Sequence, residues 1–308
     1  MWWPFCLFLS GLSFLFPDML TQIVTYLYED EWNLLEKSVS KHSIERGRSQ
    51  SILWQVKTPS ISVTLYRTGK LLVQGEETEE FLHTHLEDIV AARYTVTSIG
   101  TDESGKGDYF GPLVVAAARI GRFDVEFLLR NSVQDSKSMS DAAVVEVAEK
   151  IAEVIPHKVV VIGNQRYNEL HQKTGNVNRL LVWAHAKAAE ELFQESVPQR
   201  LIVDRFANPV HLKTRLKEYK NLDLVQVERG ERELPVATAS ILARAGFLSR
   251  LKSISKRYGF EFPKGAGEEV VEAAREFIRK FGEERLGEVA KLHFKTTQKI
   301  RARDEPTG

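Results

Sequence analysis

The chain has 308 residues, with 42 Lys and Arg against 42 Asp and Glu, a length that fits one large or two ordinary domains. Its single cysteine, Cys6, excludes a disulfide framework and a cysteine-rich zinc site and suits a reducing cytoplasm. The charge is uneven: residues 19–99 carry 8 basic and 11 acidic side chains, a net of −3, whereas 205–260 carry 12 and 5, a net of +7. A basic surface near an acidic site suits an enzyme that acts on a polyanion, and solvated helix faces would give the same count.

Met1 to Phe16 are almost entirely apolar. No Lys or Arg precedes this stretch, no small-x-small cleavage pattern follows it, and it falls short of the ~20 residues a membrane span needs. Translation is expected to start at Met19, with 1–18 an artefact or a disordered extension. Residues 21–28 then read as a strand and 29–41 as a helix. Strands follow at 51–57, 60–67 and 70–74, divided by Thr58-Pro59 and Thr68-Gly69. In 60–67, Ile61, Val63 and Leu65 alternate with Ser62, Thr64 and Tyr66, which puts the two sets on opposite faces. With a helix over 76–92 this makes a β-α-β-β-β-α unit whose sheet has one face on helices and one free.

A different pattern begins near Tyr94. Strands are expected at 94–101, 112–119, 158–162, 200–204 and 223–227. Helices are expected at 141–154, 177–195, 209–220 and 235–256, with a helical and then basic tail over 268–303. Alternating strands and helices predict a mixed α/β sheet covered on both sides.

Three stretches carry candidate chemistry. The first is GTDESGKGDYFGP, residues 100–112. Asp102 and Glu103 are adjacent at the end of an apolar strand, where neighbouring side chains point to opposite faces. For both to serve one site the chain must turn there, which Gly105 and Gly107 would allow while letting the backbone approach a phosphate or sugar. The alternatives are a polar turn between strands and a phosphate loop, although the spacing is not G-x-x-x-x-G-K-[ST]. The second is LIVDRFANP, residues 201–209, where Asp204 ends an apolar strand and is either a loop cap or a site acid. The third is RGERELPVATASILAR, residues 229–244, where Glu231 and Glu233 precede a helix of small residues. The helix dipole alone would favour glutamates there.

The string TDESGKGDYFGPLVVAAA resembles the opening of type 2 ribonucleases H. Asp108-Tyr109-Phe110, NVNRLLVWAHAKA at 176–188 and KLHFKTTQK at 291–299 are similar to the ribonuclease HIII subgroup. The resemblance covers nearly all of 20–300. It implies a ribonuclease H-like mixed sheet with flanking helices over 94–308, preceded over 19–93 by a small α+β domain similar to one repeat of the TATA-binding protein. It implies an endonuclease that hydrolyses the RNA strand of RNA–DNA hybrids, leaving 3′-hydroxyl and 5′-phosphate ends. The acids carried over are Asp102, Glu103 and Asp204, with Glu231 as the fourth and Glu233 and Glu228 behind it. Gly105, Lys106, Gly107 and Tyr109 match the loop that meets the hybrid, and Ser62, Thr64 and Tyr66 are candidate contacts on the amino-terminal domain.

Four clustered carboxylates raise each other's pKa and call for cations, and hard oxygen ligands select Mg²⁺ or Mn²⁺ over zinc. His185, on an apolar helix, reads as a packed residue. Lys106, Arg205, Lys213, Lys217 and Lys295 are candidate phosphate contacts, and RNA would be told from DNA through its 2′-hydroxyls. The expected protein is a monomer of the cytoplasm with no membrane association. Incision at single ribonucleotides in DNA, as by ribonuclease HII, and a non-catalytic hybrid-binding module are the alternatives. A transcription factor would need a second copy of the amino-terminal unit.

Overall fold

Alternating side chains make the first sheet, and apolar runs make the second. The computed structural model describes residues 19–47, 49–194, 198–204 and 209–302. The apolar start with Cys6, and Arg205, lie outside the described residues. Contacts divide the chain into two units, one holding the residues up to Val90 with Leu129–Ser132, the other Ala91–Leu128 and the residues from Val133 on.

In the first unit β1 (Gln22–Tyr26), α1 (Glu29–Ser38), β2 (Ile44–Arg46), β3 (Ile52–Lys57), β4 (Ile61–Tyr66) and β5 (Lys70–Gly75) form an antiparallel sheet in the order β1-β5-β4-β3-β2 with its helix. Register explains the burial. Ile23, Val73, Val63 and Val56 lie opposite one another across four strands, as do Thr25, Leu71, Leu65 and Trp54, and all eight are buried. The other face carries the rows Gln22, Gln74, Ser62, Lys57 and Val24, Leu72, Thr64, Gln55. Strand β2 was not expected: three residues are too few to show a period of two, and its place comes from pairing with β3.

The expected helix 76–92 is broken into α2 (Thr78–Phe81), a π-helical turn over Leu82–Leu86 and α3 (Glu87–Ala91). Leu82, Leu86 and Val90 are all buried. A steady spacing of four drifts around an α-helix of 3.6 residues per turn, and a wider turn offsets the drift.

The second unit holds β6 (Ser98–Ser104), β7 (Leu113–Ile120), α4 (Val125–Arg130, its end counted with the first unit), α5 (Asp141–Val154), β8 (His157–Ile162), α6 (Asn164–Thr174), α7 (Val177–Phe193), β9 (Arg200–Asp204), α8 (Pro209–Arg215), β10 (Asp223–Val227), α9 (Leu234–Tyr258), α10 (Glu268–Phe281), α11 (Leu286–Val289) and α12 (Lys295–Arg301). The sheet order is β10-β9-β6-β7-β8. Strands β6, β9 and β10 run parallel, and β7 is antiparallel to both its neighbours.

Helices α7 and α9 cover opposite faces of this sheet. Ile99, Val115, Ala117, Leu201 and Val203 pack with Leu181, Ala184, Ala188 and Leu192 of α7. On the other face α9 sits close because both surfaces are small. A Cβ on Gly100 would fall 2.1 Å from the Pro235 carbonyl carbon, so only glycine admits the start of α9. Ala116 and Ala118 of β7 and Ala237, Ala239 and Ala243 of α9 are fully buried. No helix among the described residues is long and apolar enough to cross a membrane.

Candidate active site

Strand β6 does not turn at its two acids, contrary to the sequence reading. It runs on to Ser104, with Asp102 opposite Ala116 and Glu103 opposite Val115 of β7. Cross-strand pairing with β7 holds the chain extended there, and the glycines act only afterwards. The acids therefore project to opposite faces. Asp102 takes a hydrogen bond from Ser240 of α9, and Glu103 is held by His185 of α7, its Oε2 3.1 Å from Nε2.

What lets both serve one place is the neighbouring strand. The parallel pairing of β6 with β9 ends at Thr101–Val203, and β9 itself ends at the next residue, Asp204. In register, Asp204 falls beside Asp102 on the α9 face. Among the described residues no strand pairs with that edge of β6 past this point, so a side chain on either face can reach round it.

Asp204 is fixed by the turn before α9. The Gly230 N–H donates to its Oδ1 at 3.1 Å, and a Cβ on residue 230 would lie 2.9 Å from the Asp204 Cβ. Arg229 before it has φ of 62°, in the left-handed region. Glu231 follows on the short 3-10 turn Gly230–Arg232, and Lys137 donates to its Oε1 at 3.0 Å. The segment carrying Lys137 is tied to α9 by Arg244, which donates to the carbonyls of Ser136 and Met139 and to Asp141 Oδ1.

The rival fourth acids sit differently. Glu233 stands at the N-cap position of α9 without a side-chain capping bond, and its Oε2 takes a hydrogen bond from the buried Tyr94 hydroxyl at 3.2 Å. Glu228 is exposed at the end of β10.

The electrostatics separate the acids. Burial, then the negative charge of Glu103 and that of Asp204, push Asp102 up to about 7 against the pull of the Ser240 hydrogen bond. Burial works upward on Glu103 too, but the hydrogen bonds and charges of His185 and Lys106 outweigh it and hold the carboxyl at about 2. Burial opposes and Lys137 overcomes in Glu231, which ends below the usual range.

An all-oxygen donor set of this kind fits a hard divalent cation. The protein's own ammonium groups stand on two of the acids, Lys106 on Glu103 at 3.2 Å and Lys137 on Glu231. A third acid holds its proton to about neutral pH. These are marks of an anionic cluster short of positive charge. Among the described residues no three of these acids bring carboxylate oxygens within 4.8 Å of one another.

The glycine loop divides in two. Gly105, at φ of 86°, leaves 2.2 Å between a Cβ and the Pro112 carbonyl oxygen, so glycine is required there. Gly107 has open space around it and Lys106 is exposed. Tyr109 corrects the sequence reading: its ring is fully buried and its hydroxyl lies 3.0 Å from Thr297 Oγ1. An aromatic ring sealed in the core offers a substrate no surface, so Tyr109 supports the loop instead. The loop is clamped further by Lys291, whose Nζ donates to the carbonyls of Asp108 at 2.8 Å and Gly111 at 2.6 Å. Burial pulls the Lys291 ammonium down to about 7, against the charge of Asp108.

Lys213, Lys217 and Lys295 are exposed, on or just after α8 and at the start of α12. Ser62, Thr64 and Tyr66 belong to the first unit. Thr64 is buried, and its hydroxyl accepts from Gln55 Nε2 at 2.6 Å, which removes it from the accessible part of that face. Sequence reasoning missed Ser240, Lys137 and Lys291, and took His185 for packing alone. One available signal was the alternation Thr101, Glu103, which puts both side chains on the α7 face.

Residues 99–297 match the family described as Ribonuclease HII, and 22–105 match a domain of unknown function. The chain is 39% identical over 251 residues to Ribonuclease HIII of Protochlamydia amoebophila, covering 78% of this chain and 83% of that protein. Against Ribonuclease HIII of Bacillus cereus it is 33% identical over 288 residues, 85% and 93% of the two chains. The crystal structure of Bst-RNase HIII in complex with Mn²⁺ superposes with a TM-score of 0.67 at 29% identity, covering 92% of this chain and 99% of the other.

Proposed function

The chain belongs to the ribonuclease HIII family of type 2 ribonucleases H, and on that premise we propose that it is an endonuclease cutting the RNA strand of RNA–DNA hybrids, with Asp102, Glu103, Asp204 and Glu231 as its metal-binding acids. The observation that supports the site is the register of β6 and β9, whose pairing ends at Thr101–Val203, one residue before Asp102 and Asp204. These acids would hold Mg²⁺ or Mn²⁺, which would supply activation of a water and stabilisation of the leaving oxygen.

The protein's own groups do the rest. Ser240 and the Gly230 N–H orient Asp102 and Asp204. Gly107 and Lys106 give a close-approaching backbone and a cation for the sugar–phosphate chain, suited to reading 2′-hydroxyls without reading sequence. The products would carry 3′-hydroxyl and 5′-phosphate ends. Residues 19–93 would add a hybrid-binding domain through Ser62 and Tyr66. The protein would work as a monomer, and the single cysteine fits a reducing cytoplasm.

The test is a uniformly labelled hybrid incubated with the protein and Mg²⁺, Mn²⁺ or EDTA, beside a DNA duplex carrying one ribonucleotide. Cleavage along the hybrid with either metal and none with EDTA is expected. Cutting confined to the single-ribonucleotide duplex would reassign the activity to the ribonuclease HII type, and tight hybrid binding without cleavage would leave a binding module.

A further inference from the structure

We infer that His185 is a positioning residue for Glu103, turning one carboxylate oxygen inward and leaving Oε1 as the oxygen presented to a divalent cation. This rests on Glu103 being one of the metal-binding acids.

The geometry is specific. His185 is 1% exposed, on the face of α7 that packs against the sheet among Leu181, Ala184, Ala188 and Ala189. Its Nδ1 lies 2.8 Å from Thr101 Oγ1 and its Nε2 3.1 Å from Glu103 Oε2. Thr101 and Glu103 are two residues apart on β6 and so share a face. The imidazole spans them like a bracket.

Donor rules fix the direction of the bond to Glu103. An ionised carboxylate only accepts, so Nε2 must carry the proton that faces Glu103. The Thr101 hydroxyl can donate to Nδ1 of a neutral ring or accept from an imidazolium. Thr101 thus holds the ring's orientation from its other nitrogen in either form. The arrangement has the logic of a histidine oriented by one neighbour so that it can orient a metal-binding group through the other.

The two oxygens of Glu103 end up unlike. Oε2 meets a donor buried in the sheet–helix interface. Oε1 meets Lys106 Nζ at 3.2 Å, and that lysine side chain is 42% exposed. With its lysine end exposed, this ion pair is the more readily exchanged of the two. A divalent cation can displace the Lys106 ammonium from Oε1, whereas displacing His185 from Oε2 would leave a buried imidazole N–H unpaired. Plain packing does not account for the residue: in so apolar a setting an alanine or leucine would avoid burying two ring nitrogens.

The test measures Mn²⁺ binding to the full chain by calorimetry, with hybrid kinetics and melting curves alongside, for His185→Ala, His185→Gln, Thr101→Val and Glu103→Gln. His185→Ala should weaken Mn²⁺ binding tenfold or more and raise the Mn²⁺ concentration for half-maximal activity equally, with the hybrid KM within twofold of wild type. His185→Gln, which keeps an amide donor, should recover part of the loss. Thr101→Val should weaken binding in the same direction by less. A purely structural histidine would lower Tm and leave Mn²⁺ binding within twofold, and that result overturns the inference. Should His185→Ala fail to fold, unchanged Mn²⁺ affinity in Thr101→Val overturns it instead. Glu103→Gln separates the two levels: if it binds Mn²⁺ like wild type, the assignment of Glu103 falls, whereas if it loses binding and His185→Ala does not, only the role of His185 falls.

Discussion

Gly230 donates its N–H to Asp204 Oδ1 at 3.1 Å, and no side chain fits between the two residues. A Cβ there would stand 2.9 Å from both the Asp204 Cβ and Val236 Cγ1. Gly230→Ala should therefore push Asp204 away from Asp102. Overpacking of this kind costs about 1–3 kcal/mol, so Tm should fall modestly while kcat falls tenfold or more. Wild-type kcat in the alanine variant would show that the turn can relax without moving the acid.

Asp102→Asn should abolish cleavage while hybrid binding survives or strengthens. Neutralising this acid removes a metal-binding group and also a charge that repels phosphates. Turnover within tenfold of wild type, measured beside a binding titration, would remove Asp102 from the site.

Glu231→Gln and Glu233→Gln should part company. Glu231 faces Lys137 with its side chain 23% exposed, and its loss should cost kcat a hundredfold or more with little change in Tm. Glu233 is held by the buried Tyr94 hydroxyl, so its change should cost about 1 kcal/mol of stability and far less activity. The reverse ordering would move the fourth acid to Glu233.

The pH dependence follows from Asp102. Its folded pKa of about 7 lies above its ordinary 3.8, so the stability it contributes is full below pH 3.8 and is lost as pH rises through 7. Glu103, held at about 2, acts in the opposite sense and only in acid. A divalent cation binds the ionised form of Asp102, so the rise in Tm caused by Mn²⁺ should be larger at pH 8 than at pH 6. In Asp102→Asn the difference should vanish. An equal Tm shift at both pH values in wild type would contradict the raised pKa.

On the first sheet, Ser62→Ala with Tyr66→Ala should raise the hybrid KM several-fold and leave kcat alone, because the proposed acids all belong to the other unit. Thr64→Val should lower Tm instead, since its hydroxyl is spent on Gln55. Steady-state kinetics with melting curves separates these outcomes, and an unchanged KM in the double variant would deny the face a part in binding.

Helix 141–154 and strands 200–204 and 223–227 coincide with their sequence expectations, because each is a clean apolar pattern with a clear boundary; Ser140 caps the helix by accepting from Ala143 N–H. Helix α6 was invisible because only Asn164 and Tyr167 of its eleven residues are buried, which leaves no apolar period. The strand carrying Asp102 and Glu103 runs over Ser98–Ser104 where the sequence predicts 94–101, since two acids and a serine do not read as sheet until β7 pairs with them. The acids proposed for the site come from motifs and resemblance. Their partners do not: His185, Ser240 and Lys137 reach them across distances of 82, 138 and 94 positions in the chain, and no local pattern encodes such pairings.

Lys291 gives the enzyme an order of completion. It joins the carbonyls of Asp108 and Gly111 across about 180 positions of sequence. During synthesis the four acids emerge well before this lysine does, and domains form progressively as the chain leaves the ribosome. A nascent chain that ends at Ala290 would hold every proposed metal-binding acid yet lack the cation that shapes the loop beside them. The loop beside the acids would thus take its shape only after a residue some 180 positions downstream has been made.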